Sequence, residues 1–189
     1  MSSTNKTISA EDRQTLLALA RHSIEHGLNK GRALPVNASD YPESLQPVRA
    51  TFITLEKHAQ LRGCIGTLEA SQPLVLDVVY HAHAAAFEDP RFPPLQESEL
   101  IDLDIHISVL SPPAPIDFES EQDLLNQLRP GVDGLILRYG HKRATFLPSV
   151  WEDLSEPHEF LDHLKRKANL AVDFWSDAIE AHRYTTESF

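Results

Sequence analysis

Leu61-Arg62-Gly63-Cys64-Ile65-Gly66-Thr67 holds the single cysteine of this 189-residue chain and two of its seven glycines. Read as an extended segment, its side chains alternate, so Arg62, Cys64 and Gly66 share one face while Leu61, Gly63, Ile65 and Thr67 share the other. A guanidinium two residues from a thiol on the same face favours the thiolate, and Gly66 leaves that face open to another backbone or a ligand. The same residues also suit a structural part. A free cysteine commonly packs as a small hydrophobe, and glycines in strands commonly mark bulges.

Working outward, Arg49 to Leu55 reads as a strand rich in Thr, Phe and Ile, Glu56 to Gln60 as a turn, and Leu61 to Leu68 as the hairpin partner. Pro73 opens a helix that runs to about Phe87, with Leu74, Val75, Val78, Val79, Ala82, Ala85 and Ala86 over a wide apolar face. Ile101, Leu103, Ile105, Ile107 and Val109 alternate with Asp102, Asp104, His106 and Ser108, the clearest strand pattern in the chain. Upstream, Ser9-Ala10-Glu11-Asp12 starts a helix with Leu16, Leu17, Ala20 and Ile24 on one face and Gly27 as its stop. An irregular, proline-bearing loop from Leu28 to Val48 follows it.

The second half repeats this outline. Val132 to Tyr139 and Arg143 to Leu147 read as a hairpin around Gly140-His141-Lys142, Pro157 to Asn169 as a helix, and Arg183 to Phe189 as a final strand. A short helix from Asp117 to Arg129 precedes them. Setting Phe52-Ile53-Thr54-Leu55 against Leu135-Ile136-Leu137-Arg138, and Arg62-Gly63-Cys64-Ile65 against Arg143-Ala144-Thr145-Phe146, makes Thr145 the counterpart of Cys64. The expected architecture is α+β, two packed lobes, each approximately hairpin, helix and strand, with an N-terminal helix. Ser111-Pro112-Pro113-Ala114-Pro115 divides a larger lobe, 9–115, from a smaller one, 116–189. A ligand is expected in the groove between them.

Composition narrows the partners. A formal net charge of −11 opposes binding to polyanions, which argues against nucleic acid; the short run Lys165-Arg166-Lys167 suits the end of a helix. One cysteine makes no internal disulfide, Met1 to Thr7 is polar and no apolar run is long enough for a membrane span. These features predict a cytoplasmic protein. The ten histidines form no ligand set with Cys64, so neither a metal nor another cofactor is expected. His81 does follow Asp77 at i+4, a pair able to orient a general base or to make an ordinary structural hydrogen bond. In the proline-stiffened loop Phe87-Glu88-Asp89-Pro90-Arg91-Phe92-Pro93-Pro94-Leu95, Asp89 caps or turns the chain and Phe92 plugs the core, or else Asp89, Arg91 and Phe92 rim a pocket, a reading that spacing alone does not favour.

Leu61-Arg62-Gly63-Cys64-Ile65-Gly66 resembles the signature hexapeptide of the AMME-syndrome candidate-region domain family, called in prokaryotes protein A of the AmmeMemoRadiSam system. The likeness extends through 84–95, Leu103-Asp104-Ile105, Asp133-Gly134-Leu135-Ile136-Leu137, Phe146-Leu147-Pro148-Ser149-Val150-Trp151 and Lys165-Arg166-Lys167-Ala168. The resemblance implies a two-lobed α+β domain and an association with a Memo-like protein and a radical SAM enzyme. A single cysteine supplies no iron–sulfur centre of its own. Three readings stand. In the first, a modification enzyme or its accessory uses Cys64 as the reactive group, with Asp77 and His81 moving protons. In the second, a binding module holds a peptide or small anion on Arg62, Gly63, Gly66, Asp89, Arg91 and Phe92. In the third, the hexapeptide only packs the hairpin.

Overall fold

The computed structural model describes residues 7–189; residues 1–6, most of the polar start, lie outside them. The chain divides into two compact units, one running through Ser111 with Glu187–Phe189 added, the other Pro112–Thr186. In the first unit, helix α1 (Ala10–Lys30) precedes the hairpin β1 (Thr51–Lys57) and β2 (Gln60–Gly66), helix α2 (Leu74–Phe87) and strand β3 (Leu103–Leu110). The second unit carries β4 (Ala114–Pro115), α3 (Glu121–Gln127), the hairpin β5 (Gly134–Tyr139) and β6 (Lys142–Phe146), α4 (Pro157–Lys167) and β7 (Glu180–Tyr184). A last strand, β8 (Thr186–Ser188), closes the chain.

The sheets have the orders β2-β1-β3-β8 and β4-β7-β5-β6. In each, the second hairpin strand is at an edge, the first lies inside it, and the strand after the helix comes next. The fold is therefore α+β with the hairpin, helix and strand outline in both halves. Each half buries its own apolar face: Ile53, Leu55 and Ile107 pack under α1 and α2 in one, and Leu135, Leu137 and Ala181 pack with Phe160, Leu161 and Leu164 of α4 in the other.

Three local expectations change. Gly27 does not stop α1, which continues to Lys30 and ends at Gly31 in the left-handed conformation, φ 67°. Gly27 is instead where α2 comes close, since a methyl group there would collide with the Phe87 ring and lie 2.9 Å from the His83 ring. The stretch expected as one final strand is two, β7 in the second sheet and β8 in the first, where Ile107 and Phe189 exchange backbone hydrogen bonds of 2.8 and 3.1 Å. Alternation within a segment says nothing about which sheet supplies the partner. The repeat also slips by one in its first strand: Thr54 pairs with Cys64 and Ile136 with Thr145, so Thr54 corresponds to Ile136, and Thr145 occupies the place of Cys64.

Candidate functional site

Along β1, Thr51, Ile53 and Leu55 are buried and alternate with Phe52 and Thr54, which are only partly covered. The buried set faces the helices. Gly63 and Ile65 lie opposite Leu55 and Ile53 and so share that side; Cys64 and Gly66 lie opposite Thr54 and Phe52 and point the other way. Both glycines answer close approaches. A methyl group at Gly63 would meet the Ala85 carbonyl oxygen of α2, and one at Gly66 the Thr51 carbonyl oxygen and the Phe52 ring.

The alternation expected through Arg62 breaks at that residue. Leu55 pairs with Gly63 and Glu56 with Leu61, which leaves Arg62 as the extra residue of a β-bulge. Its guanidinium turns to the segment before β3, where Nε and one terminal nitrogen donate to Glu99 at 2.9 and 3.0 Å and the latter also donates to the Pro93 carbonyl at 2.9 Å. Arg62 is thus a buried strut for the loop after α2 and not an activator of the thiol. Arg62, the Gln96 amide and Lys57 hold the Glu99 carboxyl at about 2, Arg62 contributing most and burial opposing. A carboxyl depressed on folding stabilises the native state above its unfolded value near 4.5, and that contribution is lost as pH falls towards 2. Glu99→Gln is expected to flatten the acid limb of the stability curve over that interval, as read from urea midpoints.

The arginine that reaches Cys64 is Arg91, which donates to the Cys64 carbonyl at 3.3 Å. Asp89 accepts from the Cys64 amide at 2.9 Å and from the Arg91 side chain at 3.0 and 2.8 Å. The Arg91 hydrogen bonds, aided by the Cys64 amide, hold the Asp89 carboxyl well below the usual carboxylate range against burial. Phe92 lies between the two arginines, its ring centroid 5.9 Å from the Arg62 guanidinium carbon and 5.5 Å from that of Arg91. The hexapeptide and the proline-rich loop are consequently one clasped unit.

Asp77 and His81 do pair, with His81 Nδ1 3.0 Å from Asp77 Oδ2. Both are buried, and Asp77 also accepts from the Thr51 hydroxyl at 2.6 Å and from Gln72 at 3.1 Å. Thr51 is on the helix side of β1, whereas Thr54 and Cys64 are on the opposite side. The pair and the thiol are therefore separated by the sheet.

On the thiol's own side, Cys64 Sγ is 3.3 Å from Thr54 Oγ1, and Cys64 is partly exposed. Register places His106 of β3 directly across from Thr54, so Cys64, Thr54 and His106 form a row over three strands. His106 Nε2 is 3.6 Å from Glu56 Oε2. The sequence pattern puts His106 only on the polar face of its strand and gives Thr54 and Glu56 no part in a site. No spacing in the chain shows that residues 54, 64 and 106 are neighbours; only the pairing of β1 with both other strands does.

A family model named AMMECR1 matches residues 17–189. The chain belongs to the AMMECR1 family. A protein of Methanothermobacter thermautotrophicus is 38% identical over 184 residues, covering 96% of this chain and 95% of its own. One from Thermotoga maritima is 38% identical over 169 residues, covering 88% and 91%. The crystal structure of uncharacterized protein PH0010 from Pyrococcus horikoshii superposes with a TM-score of 0.85 at 32% identity, covering 96% of this chain and 92% of that one.

The segments that carry the resemblance do different work in this AMMECR1 domain. Residues 62–64 and 89–93 of the first unit make the clasp around Cys64, while several residues of the second-unit segments are buried within that unit. The buried Asp133 accepts from the Arg129 amide and side chain, its carbonyl accepts from Trp151 Nε1 at 2.7 Å, and Gly134 lies against the Tyr184 ring. Lys165 is buried against Glu121 and donates to the Val172 carbonyl at 2.8 Å. Thr145, in the place of Cys64, lies 3.1 Å from the Tyr184 hydroxyl, whose pKa burial pushes up to about 12. Both positions are partly covered; Thr145 is tied to Tyr184, and Cys64 meets the Thr54 hydroxyl.

Proposed function

We propose that this AMMECR1 domain is the cysteine-bearing component of a small cytoplasmic modification system, with Cys64 as the group that reacts. The observation that carries this reading is the partly exposed Cys64, its Sγ 3.3 Å from the Thr54 hydroxyl, on a sheet face that also presents His106 and Glu56. In a transfer step Sγ would attack an electrophilic carbon of the ligand, the leaving group departing with the bonding pair. The thiol proton would pass along the row through the Thr54 hydroxyl towards His106, the imidazole these strands place on that face. Arg91, whose side chain is 55% exposed, would hold an anionic part of the ligand. A Memo-like protein and a radical SAM enzyme are its proposed partners, on the strength of the motif resemblance.

A second reading is a non-catalytic module that holds a peptide or small anion on the same face. It is favoured by the commitment of Arg62 to Glu99 and by the burial of Asp77 and His81 on the other side of the sheet. Native-state labelling with iodoacetamide, read by intact mass, separates the two. The reactive reading expects Cys64 to label in the folded protein faster than a cysteine peptide, and Thr54→Val to slow it about fivefold, the worth of one hydrogen bond. Labelling only after unfolding would leave the binding module as the function.

A further inference from the structure

A sheet that does not close into a barrel has two edge strands, whose outward N–H and C=O groups pair with another chain unless something prevents it. Among the described residues the edges are β2 and β8 in the first sheet and β4 and β6 in the second. Three of these carry an ordinary safeguard. β4 is two residues long and ends in Pro115, β8 is three residues long with Glu187 at its centre, and β6 begins with Lys142 and Arg143. β2 has none of them. It runs for seven residues, contains no proline, exposes Leu61 and carries one charged residue, Arg62, which is buried in its ion pair with Glu99.

On β2 the loop after α2 supplies what the strand lacks. In an antiparallel pair the N–H and C=O of one residue point the same way, and those of Cys64 are met by side chains of the loop, so they face away from β1. The Asp89 carboxylate accepts from the amide at 2.9 Å and Arg91 donates to the carbonyl at 3.3 Å, the acceptor and donor that one residue of an added strand would bring. The pair is braced without help from β2. Asp89 accepts from the Arg91 amide at 3.1 Å as well as from its side chain, the Phe92 amide donates to the Asp89 carbonyl at 3.1 Å, and the Leu95 amide to the Ala86 carbonyl at 2.9 Å. An incoming strand would have to part this ion pair and strand a carboxylate whose side chain is only 2% exposed. We propose that Asp89 and Arg91 close the β2 edge and keep the first sheet from pairing through β2 with a second copy of the chain. The closure acts on the Cys64 backbone and does not depend on whether the thiol reacts.

The test is sedimentation velocity of the whole chain at concentrations up to about 100 µM, with a reducing agent so that no disulfide between Cys64 residues contributes. Asp89→Ala is expected to dimerise about tenfold more tightly than the parent, the worth of the two hydrogen bonds set free at Cys64. Hydrogen exchange locates the contact: residues 60–66 of the variant are expected to exchange faster than in the parent when dilute, and to slow as the dimer forms. Arg91→Ala uncovers the Cys64 carbonyl alone and is expected to associate about threefold more tightly than the parent. It carries the test by itself if circular dichroism shows that Asp89→Ala does not fold. Adding Leu61→Lys to either variant sets a charge on the opened edge, as on β6, and is expected to return it to the parent's behaviour. A parent that already dimerises with residues 60–66 protected would overturn the proposal, as would folded variants that sediment as the parent does. Association left unchanged by Leu61→Lys would overturn it too, because it would show lost stability and not an opened edge.

Discussion

Replacing Gly63 by alanine is expected to destabilise the first unit by about 3 kcal/mol, at the upper end of what overpacking costs in a filled core. A Cβ at this position would lie within 3.0 Å of the Ala85 carbonyl oxygen, and the obstructing atom belongs to helix backbone, not to a side chain that can rotate away. Relief requires β2 to withdraw from α2. Because the Cys64 amide is bonded to Asp89 and Arg62 to Glu99, such a withdrawal pulls on the clasp that positions the thiol. The contrast is Gly131→Ala, at a φ of 76° with nothing within 4 Å of the added methyl group. There the cost is backbone strain alone, about 1 kcal/mol. Urea denaturation of both variants measures the difference, and similar midpoints would show that β2 is not seated on α2 as described.

The fold was legible because its signals are local. The alternation from Ile101 to Val109 and the apolar face of the helix after Pro73 each lie within one element, and the hairpin needs only a turn between two such runs. His58 and Ala59 make that turn with φ of 52° and 59°, unusual values for residues other than glycine that no composition rule anticipates. What escaped was set by pairing across the chain. The bulge at Arg62 arises from register against β1, and it redirects the one guanidinium that simple alternation assigned to the thiol.

The candidate site was legible in part for the same reason. Residue chemistry alone points to Cys64, Asp89, Arg91 and Phe92, and the structure brings all four together around one strand. The i, i+4 spacing pairs Asp77 with His81, and they do meet each other. Helical spacing cannot say on which side of a sheet the pair will be buried, and it has no access to the cross-strand row that places Thr54 and His106 beside the thiol.

Asp77→Ala decides what the buried pair is for. Asp77 is fully buried and is the common acceptor for the Thr51 hydroxyl, His81 and Gln72, so its removal strands three polar groups between α2 and β1. Leaving buried donors unpaired is expected to cost about 2 to 4 kcal/mol of stability, measured by urea or thermal unfolding. Iodoacetamide labelling of Cys64, under conditions where the variant remains folded, is expected to change by less than about twofold, since the sheet lies between the two groups. The opposite pattern, unchanged stability with a large fall in thiol reactivity, would mean that Asp77 and His81 act on Cys64 through β1. A Thr51→Val/Asp77→Ala cycle then apportions the effect. Coupling confined to stability assigns the pair to holding α2 on the sheet, and with it the position of Ala85 against Gly63, on which the seating of the Cys64 strand depends.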